Sequence, residues 1–144
     1  MVGPGSTGPG RLTAMGTRLG GTGIWSPQLR FGDAGEAAAL AAELEGLGFS
    51  ALWIGDIGGD LFIPLGKLLG ATTTATIATG ILNIWMHTPQ EAASEHARLV
   101  AEHGPRFLCG IGISHRPLID RVIEPGTTHS AQAPGMARMR LKCC

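Results

Sequence analysis

The hydrophobic pattern of this chain alternates between two periods, and that alternation restricts it to one class of fold. From Leu19 to His115 strand-like and helix-like segments take turns: LGGTGIWS, DAGEAAALAAELEGLG, SALWIGD, a short apolar stretch, ATIATGILNIW, TPQEAASEHARLVAEHG and RFLCGIGISH. Strands separated by helices imply a parallel sheet, and parallel strands are apolar on both faces, as in Ala51–Ile54 and Phe107–Ile113. The expectation is an α/β fold with about four parallel strands and helices between them. A complete (β/α)8 barrel takes about 250 residues, and the sequence has 144. A partial TIM barrel spanning residues 19–121 is therefore the reading, with 1–18 as a disordered extension and 122–144 as an unpatterned tail. The basic stretch after Glu124 reads as a truncation or a change of reading frame.

The helices carry their own punctuation. Asp33 stands as an N-cap with Glu36 three residues on, and Gly48 stops the helix. Between them Ala37, Leu40, Ala41, Leu44 and Leu47 form an apolar stripe, with Glu36 and Glu43 opposite. The second helix, Pro89–His103, is marked by Thr88 as cap, Pro89 in the first turn, Glu91 completing the box and Gly104 as terminator. A helix opened by Pro64, with Leu65, Leu68 and Leu69 packing inward, fills the apolar stretch between them, although Gly66 and Gly70 weaken it.

Charge excludes some functions. Residues 1–30 carry three bases and no acid, residues 31–115 three bases and nine acids, and residues 116–144 five bases and two acids. An acidic middle argues against nucleic-acid binding. No apolar run reaches the roughly 18 residues of a membrane span, and no signal-peptide core precedes the pattern, so a cytoplasmic protein is expected. Three cysteines make neither a disulfide framework nor a metal site. Cys109 falls inside a strand and reads as a small buried residue.

In a barrel of this kind the site sits at the C-terminal ends of the strands. That selects Trp25-Ser26, Gly55-Asp56, Gly80 to Trp85 and Gly112 to His115, where polar groups follow directly on apolar runs. Each candidate also has a plainer role. Asp56 can cap a loop, Asn83 can satisfy nearby backbone, and His115-Arg116-Pro117 can form an exposed turn. Trp53 and Trp85 read as packing, His87 as a loop residue, and His96 and His103 as facing the core or ending a helix. The GIGIS run at Gly110–Ser114 lacks the Lys-Ser/Thr of a phosphate loop.

The strings GFSALWIGD, ATIATGILNIW and RFLCGIGISHRP, in that order and at barrel spacing, resemble the luciferase-like monooxygenase superfamily. The likeness covers about Leu19 to Arg121, roughly half of that family's barrel. It is nearest the branch that uses an 8-hydroxy-5-deazaflavin (coenzyme F-420) in place of FMN. The resemblance implies an oxidoreductase that transfers hydride with a deazaflavin coenzyme and acts on a small-molecule substrate, or alternatively an FMN-dependent monooxygenase. It implies coenzyme contacts from Asp56, Gly80, Ile81, Asn83, Ile113 and Ser114. A non-prolyl cis peptide is implied at Gly80-Ile81, behind the ring, and an acid–base group at His115, where some relatives carry a carboxylate. Many relatives follow the acid at Asp56 with a histidine. This chain has Ile57, which removes support for sugar-phosphate dehydrogenation. Relatives hold the coenzyme's phosphate tail with later strands, so weak binding and little turnover are expected of this length of chain. Open sheet edges invite pairing between copies, and a self-associating fragment without catalysis is the reading from a different class.

Overall fold

A computed structural model describes residues 19–115. Its elements run β1 (Gly23–Trp25), α1 (Gln28–Phe31), α2 (Ala34–Gly46), β2 (Ala51–Ile54), α3 (Phe62–Ala71), β3 (Thr76–Thr79), β4 (Leu82–Asn83), α4 (Pro89–His103), β5 (Phe107–Leu108) and β6 (Ile111–Gly112). Parallel pairing gives a four-stranded sheet in the order β1-β2-β3-β5 and a two-stranded sheet of β4 and β6. This is the α/β, partial-barrel architecture expected from the alternation. The expectations for residues 1–18 and 116–144 lie outside the described residues.

Register explains the layering. Ile24, Leu52, Ile77 and Phe107 stand in one line across four strands. All four join the core, which α2, α3 and α4 cover with Leu44, Leu65, Leu68, Leu69 and Leu99. The neighbouring line is Trp25, Trp53, Ala78 and Leu108. Because side chains alternate along a strand, these point to the other face, where Trp25 is exposed and Trp53 and Leu108 are half-buried.

The third and fourth strand runs are each broken in two, a difference from the four continuous strands expected. β3 gives way to β4 at Gly80-Ile81, whose peptide bond is cis, and β5 gives way to β6 at Cys109-Gly110. The breaks interlock. The Gly110 carbonyl accepts from the Leu82 amide at 2.6 Å and from the Thr79 hydroxyl at 2.9 Å. A Cβ on Gly110 would strike the Thr79 carbonyl oxygen, so only glycine allows this approach. Beside it, burial pushes the Cys109 thiol up, against the opposing hydrogen bond with Thr79.

The helix caps form as their residues dictate. Asp33 accepts from the amides of Gly35 and Glu36, and Gly48 ends α2 with φ at 95°. Helix α2 closes one residue before Leu47, so Leu47 leaves the expected apolar stripe and is 71% exposed. Thr88 and Glu91 form a full capping box at α4, with Pro89 in its first turn. Helix α3 starts two residues earlier than Pro64 suggested, because the Asp60 carboxylate accepts the Ile63 amide at 2.8 Å. Its Leu65, Leu68 and Leu69 are fully buried as expected. Two clamps hold the loop after α3. Arg106 donates to the carbonyls of Leu69 and Ala75 and to the Thr72 hydroxyl. The Glu45 carboxylate, in the last turn of α2, accepts from the amides of Thr73, Thr74 and Ala75. The four-residue helix α1 was not anticipated, since one turn carries no readable period.

Candidate functional site

The apolar runs of β2, β3 and β4 bring Asp56, Gly80, Ile81 and Asn83 to one place at the strand ends. The Gly80 amide donates to the Ile54 carbonyl at 2.8 Å, and the Asp56 amide donates to the Ile81 carbonyl at 3.1 Å. The Asn83 amide in turn donates to Asp56 Oδ2 at 3.0 Å. Asp56 thereby holds the chain just past the break twice, its amide on Ile81 and its carboxylate on Asn83. Both polar side chains are out of solvent: Asp56 is 3% exposed and Asn83 0%.

Apolar groups flank this knot. The Trp25 indole N–H donates to the Gly80 carbonyl at 3.1 Å, which lays its ring beside Gly80. The Ile81 side chain packs against Gly112 of β6. The Trp85 indole N–H donates to the Ile113 carbonyl at 3.0 Å, so β6 is tied to the loop after β4. Trp25 and Ile113 keep 51% and 63% of their surface exposed. Ser114 is half-buried with φ at 62°, in the left-handed region that non-glycine residues seldom adopt. His115 is exposed, and among the described residues no ion pair joins it to a carboxylate.

His87, which reads as a loop residue in the sequence, is the histidine that reaches this knot. It does lie in the loop between β4 and α4, but its side chain is only 8% exposed. Its ring stands edge-on to Phe62, with centroids 5.2 Å apart. Nε2 lies 3.1 Å from Asp56 Oδ2, and Nδ1 lies 3.3 Å from Glu91 Oε1. Neither contact is aligned as a hydrogen bond, so both are close approaches of imidazole to carboxylate, ionic when the ring is protonated. One signal pointed to it. The strand-end rule selected Gly80 to Trp85, and His87 falls two residues beyond that window, four before Glu91.

Four buried polar atoms in this knot make no hydrogen bond: the two ring nitrogens of His87, which at least face carboxylates, and Asp56 Oδ1 and Asn83 Nδ2, which face none. Buried polar groups are nearly always satisfied, and an orphan costs about 1–3 kcal/mol. Of the last two, one is an acceptor and the other a donor. The indole of Trp25 and the side chains of Ile81 and Ile113 lie at the same strand ends. No group of three or more metal-binding side chains occurs among the described residues. No helix among them is long and apolar enough to cross a membrane.

The family model of the luciferase-like monooxygenases matches residues 12–137 of this chain. No curated protein matches it.

Proposed function

The chain belongs to the luciferase-like monooxygenase family, and from that membership we propose that it is a flavin-type oxidoreductase whose coenzyme ring lies at the ends of β2, β4 and β6. Within that family we favour the deazaflavin coenzyme over FMN, on the likeness of GFSALWIGD, ATIATGILNIW and RFLCGIGISHRP to the deazaflavin-using branch. The observation that carries the site assignment is the orphaned pair, Asp56 Oδ1 and Asn83 Nδ2, buried beside Gly80-Ile81.

When bound, the coenzyme supplies a ring carbon that gives or takes hydride. The chain's own residues do the rest. Asn83 Nδ2 donates to a ring acceptor, and Asp56 Oδ1 accepts from a ring N–H. Gly80 and Ile81 back the ring, while Ile113 and Ser114 border it from β6. His115 is assigned proton handling, because it follows the fourth strand run directly and an imidazole can both take up and give back a proton. A small-molecule substrate would approach the solvent-facing side, where Trp25 and Ile113 are exposed.

Fluorescence titration with oxidised deazaflavin coenzyme and with FMN tests the reading. Binding of the deazaflavin in preference to FMN, weakened at least tenfold by Asp56→Ala with Asn83→Leu, supports it; about tenfold is the loss expected for one hydrogen bond to a charged group. Binding that survives the double substitution puts the site elsewhere. Turnover that persists after His115→Ala removes the role given to that residue.

A further inference from the structure

The imidazole of His87 stands between a carboxylate out of solvent and one open to it. Asp56 has a side chain of 0% exposure, whereas the Glu91 side chain is 46% exposed. A buried carboxylate is expensive to keep unless a partner faces it. Asp56 Oδ2 has two neighbours, the Asn83 amide and His87 Nε2. Asp56 Oδ1 has none. The carboxylate is thus held by one oxygen and offers the other.

We propose that His87 is the positioning residue of this site. It fixes Asp56 through Oδ2, is braced from behind by Glu91, and so keeps Oδ1 free and oriented for a ligand N–H. The inference rests on the coenzyme site proposed above for its ligand, but the positioning itself is a property of the empty-handed protein. The device follows from the fold. Glu91 is fixed because it completes the capping box of α4, where its side chain accepts from the Thr88 amide at 3.4 Å. His87 is fixed because its ring packs on Phe62 at the start of α3. Helix α4 therefore sets the carboxylate at the end of β2, although the two are not neighbours in sequence. The ligand class follows as well. An acceptor from Asp56 beside a donor from Asn83 selects a lactam or imide edge, an N–H next to a C=O.

The Asn83 amide hydrogen reports on Asp56 directly, because it donates to Oδ2. The experiment measures amide hydrogen exchange by NMR, without coenzyme, in the unaltered chain, His87→Phe and Glu91→Gln. Phenylalanine keeps the ring against Phe62 and removes both nitrogens. Glutamine keeps an acceptor for the Thr88 amide and removes the charge. The Ile77 amide, which donates to Arg106 in the core sheet, is the internal reference. In His87→Phe the Asn83 amide should exchange about tenfold faster with Ile77 unchanged, as for loss of a local restraint and not of global stability. Glu91→Gln should give a smaller acceleration confined to the same amide. Unchanged Asn83 exchange in His87→Phe overturns the proposal and leaves His87 as packing for Phe62. If that variant fails to fold, Glu91→Gln decides alone: local acceleration supports the proposal, and none overturns it. An unaltered chain that binds neither deazaflavin nor FMN refutes the coenzyme site while the exchange result stands.

Discussion

Replacing Glu45 with glutamine should cost stability at neutral pH and progressively less in acid. Glu45 is half-buried at the end of α2. Its carboxylate takes the amides of Thr74 and Ala75 at 2.6 Å each and that of Thr73 at 2.9 Å, with the hydroxyls of Thr73 and Thr74 at 3.2 and 2.9 Å. Desolvation alone would raise its pKa, but the amides of Thr74, Ala75 and Thr73 outweigh that and bring it from 4.5 to about 2. At about 1.4 kcal/mol per tenfold, the full difference corresponds to about 3 kcal/mol. Solvent screening of a partly exposed group reduces this, and we take about 1–2 kcal/mol. The folded pKa lies below the unfolded one. The contribution is therefore complete above about 4.5 and is lost as pH falls through the folded value near 2. Thermal unfolding of both proteins at pH 7, 4.5 and 3 measures it. At pH 7 the Glu45→Gln variant should melt about 5–10 °C lower, and the gap should narrow steadily toward pH 3. Asp33 is also lowered by the amides of Gly35 and Glu36, but it is present in both proteins and cancels. Equal melting at pH 7, or a gap that stays constant into acid, would refute the clamp.

Two further substitutions test the packing and the strand break. Leu99→Ala removes a fully buried side chain that meets Gly66 of α3, and a loss of about 3–5 kcal/mol in urea unfolding is expected. Gly110→Ala drives a methyl into the Thr79 carbonyl, so it should lose about 1–3 kcal/mol or more by the same assay; a neutral result would mean that the β5–β6 step is not so tightly held.

Local features of this fold were legible because local chemistry sets them. Asp33, Thr88, Pro89 and Glu91 determine where α2 and α4 begin, and those caps formed. The inward leucines of α3 followed from spacing alone. The cis peptide at Gly80-Ile81 was implied by the family resemblance and is present, whereas the break at Cys109-Gly110 was not legible. Within ATIATGILNIW the hydrophobic pattern alone does not mark where one strand ends and the next begins. The step depends on Gly110 meeting Thr79 across the sheet. In the site, Asp56 and Asn83 could be named because polar residues directly after apolar strands stand out. His87 could not, because its burial comes from Phe62 and from carboxylates 31 residues before it and four after it, brought together only by the sheet.

Whether the ends of β2, β4 and β6 hold a flavin-type ring can be read by amide chemical-shift mapping. Oxidised deazaflavin coenzyme is titrated into the labelled chain while each amide is followed. The largest shifts should fall on Asp56, Ile81, Asn83 and Ser114, with little change along α2 or α3. Shifts that leave these four residues untouched, or that gather on the helix-covered side, would contradict that placement.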